Sequence, residues 1–280
     1  MTRIVAVGDN VVDCYQSTGQ MFPGGSCLNV SIFAHRFGAT SAYIGAVGQD
    51  AAGDLIRAAL AEEGVITERL RVLPGPTGYC VIGHRNGDRI FLTFDLGVSI
   101  FRPDDGDVEF VRSFDAIHIG QSSGLDADLK RFSAMVRLSY DFSTRRDVAH
   151  RESIAPLCFL ASLSGGDLDR TDAIALLRRT VAAGAQWCLV TRGENGALLG
   201  TGEDVFETAA VPVKIVDTLG AGDTFIARTL TGLLQGEAPQ EILSAAAQAA
   251  AETCTRIGAT GHAAAMAVNV GTIPALKDID

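Results

Sequence analysis

The stretch Asp217-Thr218-Leu219-Gly220-Ala221-Gly222-Asp223-Thr224-Phe225 joins a predicted strand, residues 214–218, to a predicted helix that ends at Gly236. The two glycines let the backbone bend so that its N–H groups point outward, and a helix N-terminus binds anions through such groups. Asp223 places a carboxylate beside this anion cradle, where it can accept the proton of an attacking hydroxyl. The alternative is a glycine-rich turn in which Asp223 caps the helix.

On either side of this stretch, strand-like and helix-like patterns alternate along the chain. This alternation predicts a mostly parallel sheet with helices on both faces, which is a three-layer α/β sandwich. The 280 residues fit one large domain, and we expect it to span residues 1–280. Short apolar runs predict strands at residues 3–8, 41–47, 114–119, 138–142, 157–161 and 186–191, and helical periodicity predicts helices at residues 26–37, 55–63, 128–138, 171–183 and 239–257.

One region interrupts the alternation. Strand-like runs at residues 78–84 and 89–95 flank Asn86-Gly87-Asp88, and Asn-Gly between such runs is a strong hairpin signal. Together with residues 11–21 this hairpin predicts a small β lid, formed by about residues 11–22 and 77–97. A second hairpin is predicted from residues 197–199 and 204–208.

Composition excludes several classes of function. The 33 acidic residues outnumber the 23 Lys and Arg residues, which gives a net charge of -10 and a pI near 4.9 and disfavours nucleic-acid binding. No apolar run approaches the ~18 residues of a membrane span. The six cysteines form no CxxC pair and no cluster with zinc spacing, so we expect reduced core residues of a cytoplasmic protein.

Three other motifs would indicate a different function for the chain. The chain has no Gly-Lys dipeptide, which rules out a Walker A loop. Gly220-Ala221-Gly222 half-matches the dinucleotide fingerprint, but Phe225 occupies the third glycine position, which disfavours a nicotinamide-dependent oxidoreductase. The run from Gly120 to Gly124 fits GxSxG, yet the next helical pattern starts only near Asp128, too late for the nucleophile elbow of a serine hydrolase.

Two further groups could bind a polar ligand. The first is Gly24-Gly25 with Asn29, since paired glycines permit close backbone approach and an amide suits sugar hydroxyls. The second is Gly8-Asp9-Asn10 with Asp13, just past the first predicted strand, where open α/β sheets bind ligands. The alternative for the first group is a turn followed by a capped helix. The alternative for the second group is a turn whose carboxylates are solvated.

Taken together, Gly24-Gly25-x-x-x-Asn29 and Asp217-Thr218-x-Gly220-Ala221-Gly222-Asp223 resemble the two signatures of the ribokinase-like (PfkB) carbohydrate kinases. The resemblance covers nearly the whole chain and implies a ribokinase-like α/β fold. It also implies that Asp223 is the catalytic base and that the backbone amides of Gly220, Ala221 and Gly222 form an anion hole. The resemblance implies that Asp13, Gly24, Gly25 and Asn29 hold the sugar. We expect Asp9 and Asn10, beside Asp13, to join them.

The resemblance extends to the nucleotide side. Asp141-Phe142-Ser143-Thr144-Arg145 matches the family's Asp-x-Asn-x-Arg except at Ser143, and places Arg145 toward the phosphates. The run from Thr191 to Gly196 resembles the nucleotide-binding turn, with Thr191, Gly193 and Gly196 as binding residues. The family's Asn-x-x-Glu falls at residues 162–165, where neither key side chain is present. ATP with Mg²⁺ is therefore implied, a monovalent cation is left open, and the protein's metal ligands are unassigned.

Subgroup traits at residues 8–13, 141–143 and 225–227 resemble kinases that phosphorylate the 6-hydroxyl of a sugar joined to an amino acid. We therefore expect transfer of the γ-phosphoryl of ATP to a primary hydroxyl of a ketose derivative. The alternatives are a kinase for fructose, ribose, a sugar acid or a nucleoside, and a non-catalytic sugar or nucleotide sensor. Because a small isolated sheet is hard to stabilise in water, the lids of two chains are expected to pair in a homodimer.

Overall fold

The structure, a computed structural model, describes residues 1–85 and 88–268. Its helices are α1 (Ser26–Arg36), α2 (Ala51–Glu62), α3 (Asp105–Val111), α4 (Leu129–Ser133), α5 (Val148–Ile154), α6 (Arg170–Ala182), α7 (Ala221–Gln235) and α8 (Pro239–Thr253). Its strands are β1 (Arg3–Val7), β2 (Val11–Tyr15), β3 (Gln20–Gly24), β4 (Thr40–Ile44), β5 (Ala46–Gly48), β6 (Arg71–Leu73), β7 (Thr77–Arg85), β8 (Asp88–Gly97), β9 (Ala116–Gly120), β10 (Arg137–Asp141), β11 (Cys158–Ser164), β12 (Trp187–Thr191), β13 (Ala197–Thr201), β14 (Asp204–Thr208) and β15 (Ala264–Ala265).

The central sheet has eight strands in the order β14-β13-β12-β11-β10-β9-β1-β4. The strands from β4 to β12 in this order run parallel, and β13 and β14 add an antiparallel edge. Buried apolar runs such as Ile4 to Val7 form its middle, as expected for strands that are covered on both faces. The predicted three-layer α/β sandwich is confirmed.

Alternate residues of the central strands pack into two separate cores. On β1, Val5 and Val7 join a cluster that includes Phe132 of α4, whereas Ile4 joins a cluster that includes Phe33 of α1 and Leu230 of α7. Because side chains in a strand alternate between faces, one sheet supplies both cores. The layer of α1, α7 and α8 is the one that carries both predicted signatures.

A second sheet has the strand order β15-β3-β2-β7-β8 and contains the regions predicted to form the lid. On one face, Val12 and Cys14 pack with residues of α1 and α2, including Leu28 and Ile56. On the other face lies Asp13, whose register partners are Phe22 and Cys80. The Asn86-Gly87 turn of the predicted hairpin lies outside the described residues. The two-residue strand β15 was not predicted, since so short a segment carries no periodic signal.

Some predicted elements are wrong in detail. Residues 214–218 form no strand, because the N–H groups of Val216 and Asp217 donate to the carbonyl of Cys254 after α8, and the side chain of Ile215 is 63% exposed. The helix predicted at residues 128–138 shortens to α4. The strand predicted at residues 41–47 divides into β4, in the central sheet, and β5, which pairs with β6. Within the described residues, no helix is long and apolar enough to cross a membrane.

Candidate active site

The candidate site lies at the carboxyl edge of the central sheet. Because parallel strands end at the same edge, the segments that follow β1, β9, β10, β11 and β12 meet there. The ends of β10, β11 and β12 place Asp141, Ser162 and Thr191 at this edge, and the segments after β1 and β9 add Asp9 and Ser123. The N-terminus of α7 and that of α1 supply the two signature segments.

The turn at the start of α7 has the geometry of an anion cradle. Gly220 is the N-cap, with φ +78, and the Thr224 N–H donates to its carbonyl at 2.8 Å to begin the helix. A Cβ on Gly220 would overlap Ala259, so this position requires glycine for both conformation and space. The N–H groups of a first helical turn lack intrahelical partners and carry the positive end of the macrodipole.

Asp223 lies in this first turn and is joined directly to the other signature. The Asn29 side chain, which is buried one turn into α1, donates from Nδ2 to Oδ2 of Asp223 at 2.7 Å. The two residues are 194 positions apart in the chain. The packing of α1 against α7 thus brings both signatures into one site, and Asn29 orients the Asp223 carboxylate.

A further carboxylate, Asp141, reaches the same site from the end of β10. Its pKa is raised to about 7, mainly by burial and also by the nearby carboxylates of Asp223 and Asp9, while the Ser143 N–H, which donates to Asp141 at 2.8 Å, acts to lower it. From the sequence, Asp141 was identified only as the first residue of the motif that ends at Arg145. The signal available was its position at the carboxyl end of a predicted strand, because that edge of the sheet is where ligands bind.

This shift gives a test of the site's electrostatics. The pKa of Asp141 is raised above its ordinary value near 4, so its contribution to stability is full below that value and is lost as pH rises through about 7. Asp141→Asn stays neutral, so its Tm relative to wild type should rise from about pH 4 to about pH 7 and level off at higher pH. Thermal melts of the ligand-free proteins measure this difference, and a difference that does not vary with pH would contradict the account.

Asp9 is buried and held by two donors. Its Oδ2 accepts the Ser26 N–H at 3.1 Å, at the start of α1, and its Oδ1 accepts the Ser123 hydroxyl at 2.7 Å. Ser123 directly follows Ser122, the central residue of the GxSxG pattern; it is buried in a short 3₁₀ turn and also contacts the Cys27 thiol at 3.2 Å. Its geometry is that of a residue that fixes Asp9.

Asn10 is fully buried beside Asp9. Its Nδ2 donates to the Tyr43 hydroxyl at 2.9 Å and to the Ala46 carbonyl at 2.8 Å. Among the described residues its Oδ1 has no hydrogen-bond partner. Asn10 therefore anchors the start of β2, and only this oxygen remains for a ligand.

The paired glycines leave room for neighbouring parts of the site. A Cβ on Gly24 would overlap the carboxylate of Asp13, which is buried on the facing strand β2. Gly25 has φ +102, and a Cβ there would lie 2.6 Å from Cα of Asn10. Both glycines are thus required by protein contacts, independently of any ligand.

The predicted nucleotide residues lie farther along the same edge. Gly193 (φ +55) and Gly196 (φ +81) shape the turn between β12 and β13, next to Thr191 at the end of β12. Arg145 lies exposed on the turn after β10, and within the described part of the chain it forms no ion pair. Ser143, where the family has Asn, adopts φ +51, a left-handed conformation that Asn favours.

The architecture is that of the ribokinases. A ribokinase from Arabidopsis thaliana, in complex with ribose and ATP, superposes with a TM-score of 0.81 at 22% identity, over 94% of this chain and 96% of that one. A putative ribokinase II from E. coli, in complex with ATP and Mg²⁺, gives a TM-score of 0.78 at 23% identity, over 93% and 95%. At these identities the superpositions show the fold, which defines the class as ribokinase-like.

The sequence matches are more specific. The profile of the pfkB family carbohydrate kinases matches residues 1–136 and 159–265, and the chain belongs to this family. It is 37% identical to fructosamine kinase FrlD of Bacillus subtilis (strain 168), over 93% of each chain, and 29% identical to fructoselysine 6-kinase of Escherichia coli (strain K12), over 92% of this chain and all of that one. The protein is thus an ATP-dependent sugar kinase, as the sequence predicted.

Proposed function

We propose that this kinase transfers the γ-phosphoryl group of ATP to the 6-hydroxyl of fructoselysine or another fructosyl-amino acid. The observation that carries the proposal is the junction of Asn29 with Asp223 beside the α7 anion cradle, in a chain 37% identical to a fructosamine kinase. The site offers a fixed base, donors for a transferring phosphoryl group, and several carboxylates at the sugar side.

In the proposed reaction, the acceptor hydroxyl lies against Asp223, and the carboxylate takes its proton as the oxygen attacks the γ-phosphorus. The oxygen–phosphorus bond to ADP breaks, and ADP leaves. The amides of Gly220, Ala221 and Gly222 donate to the oxygens of the transferring group. Asn29 keeps the Asp223 carboxylate oriented, while Thr191, Gly193, Gly196 and Arg145 hold the nucleotide.

The site also fits a magnesium ion bound with ATP. Ser162 has a buried hydroxyl with no hydrogen-bond partner among the described residues, and it aligns with Asp141 in the register of β10 and β11. Mg²⁺ usually takes one or two protein carboxylates and completes its shell with phosphate oxygens and water. We propose that Asp141 and Ser162 hold it in place of the absent Asn-x-x-Glu side chains. When bound, it would neutralise phosphate charge.

The second sheet is the proposed cover of the sugar, since Asp13 lies on one of its faces. Phe94, which aligns with Cys80 and so shares the face of Asp13, is 65% exposed. An exposed aromatic side chain on a small sheet is suited to burial by another protein surface. We propose that the second sheets of two chains pair there in a homodimer and exclude water from the phosphoryl group.

A fructosyl-amino acid differs from fructose by a cationic secondary amine next to the sugar carbons. Asp9 is the proposed partner of that amine, because it is the buried carboxylate that the first signature segment and Ser123 hold at the site. Asp95, a carboxylate on β8, aligns with Tyr79 and lies on the face of the second sheet opposite Asp13. It is therefore an unsuitable partner and a useful control.

The test compares kcat/KM for fructoselysine and for fructose in a coupled ADP-release assay. For the wild type the ratio should be at least about ten, since ~1.4 kcal/mol of charge pairing is one decade. Asp9→Asn should narrow this ratio and retain fructose turnover, whereas Asp95→Asn should leave it unchanged. Equal efficiency on both substrates in the wild type would reject the fructosyl-amino acid and favour a general sugar kinase.

A further inference from the structure

Asp217, the first residue of the second signature, joins three separate segments of the chain. Its Oδ1 accepts the N–H of Leu219 at 3.0 Å within the signature turn. Its Oδ2 accepts the N–H of Gly258 at 3.1 Å, from the loop after α8, and also the hydroxyl of Tyr15 on β2. The Asp217 side chain is buried. A single carboxylate therefore connects the anion-hole turn to the second sheet.

Tyr15 is held at this junction by close packing. It lies two residues beyond Asp13, on the same face of β2, and its ring meets the Phe22 ring edge-on at 5.3 Å. Phe22 in turn packs against Gly258, where a Cβ would lie 2.5 Å from the ring. Leu219, inside the signature turn, contacts the same apolar cluster. The second sheet therefore contacts the signature turn through both polar and apolar side chains.

Through this arrangement, the position of the second sheet affects the position of the anion hole. Leu219, which Asp217 holds, directly precedes Gly220, and the anion-hole amides begin there. A displacement of β2 would move the Tyr15 hydroxyl, then Asp217, and then the turn that aims those amides. The same strand carries Asp13, so any ligand that fixes β2 also fixes this path. Donors aimed at a developing charge lose effect when they are displaced even slightly.

We propose that Tyr15, acting through Asp217, is a positioning residue that couples sugar binding on the second sheet to the alignment of the anion hole. Coupling between two sites is reciprocal, so the sugar should tighten the binding of a nucleotide, and the nucleotide that of the sugar, by one common factor. This inference depends on the proposed function only for the choice of sugar.

The matched variants are Tyr15→Phe and Tyr79→Phe, each of which removes one hydroxyl from the second sheet and keeps the ring. Tyr79 is the neutral control, because it aligns with Val12 and packs on the opposite face. Activity is first measured on a panel of fructoselysine, fructose and ribose, and the best sugar is then used throughout. Calorimetry measures the dissociation constant of a non-hydrolysable ATP analogue with and without that sugar.

For Tyr15→Phe we expect kcat to fall about tenfold, the scale of a hydrogen bond to a charged group. The ratio of the dissociation constants of the ATP analogue without and with sugar should fall toward one. Binding of the ATP analogue alone should stay at the wild-type value, and Tyr79→Phe should match the wild type in all three quantities. Wild-type kcat and coupling in Tyr15→Phe would overturn the inference. So would an equal weakening of nucleotide binding without sugar, which indicates a structural role only. An error in the proposed substrate would appear instead as a different preference of the wild type on the panel.

Discussion

Asp223→Asn is expected to lower kcat by about 100-fold or more, the scale of a general-base contribution. The substitution removes the group that accepts the hydroxyl proton and keeps the shape of the side chain, so the fold and ATP binding should survive. Asn29 can still hydrogen-bond to the amide oxygen that replaces Oδ2. ADP release with saturating sugar and ATP measures the effect.

The control for this variant is Glu241→Gln, which neutralises an acidic residue in the first turn of α8, a helix outside the site. It should keep wild-type turnover and a similar Tm. Near wild-type kcat in Asp223→Asn would remove Asp223 from the role of base, whatever sugar the enzyme prefers.

The second large effect is expected from Gly24→Ala. Gly24 has no left-handed φ, so its backbone tolerates alanine, but the added Cβ would overlap the Asp13 carboxylate. Asp13 must then move from its buried position on β2. Hydrogen bonds to a charged group are worth about 1.5–3 kcal/mol, so kcat/KM for the sugar should fall about 10- to 100-fold. KM for ATP should change little.

Gly166→Ala is the matched control, because no described atom lies within 4 Å of its Cβ and its φ is not left-handed. It should leave both substrates unaffected. If Gly24→Ala retained wild-type efficiency for the sugar, or weakened ATP to the same extent, Asp13 would not be a sugar ligand.

The sequence predicted best what is encoded locally or periodically. The buried strands and their alternation with helices specified the central sheet. The glycines of the second signature indicated the start of α7, where Gly220 adopts the predicted turn. The strand predicted at residues 214–218 was wrong because an apolar, β-branched run reports strand propensity. It does not report where the N–H groups of that run find acceptors, which here is the carbonyl of Cys254 after α8.

What the sequence did not predict are contacts between distant segments. Tyr15 and Asp217 are 202 positions apart, and Asp9 and Ser123 are 114 positions apart. Neither pair has a spacing that a local pattern could carry. The raised pKa of Asp141 likewise depends on burial and on Asp9 and Asp223, which tertiary packing alone brings near it. The family resemblance pointed to Asn29 and Asp223 as parts of one site, but not to the hydrogen bond between them.

The most direct test of the central claim is the identity of the phosphorylated product. Wild-type enzyme is incubated with ATP, Mg²⁺ and fructoselysine, and the product is examined by proton-coupled ³¹P NMR. A phosphate on the 6-hydroxyl is attached to a CH₂ group, so the account predicts a new phosphomonoester signal split into a triplet, which at the same early time is at least about 100-fold weaker with Asp223→Asn. A doublet, which reports phosphorylation of a secondary hydroxyl, or the absence of any phosphorylated fructoselysine, would contradict it.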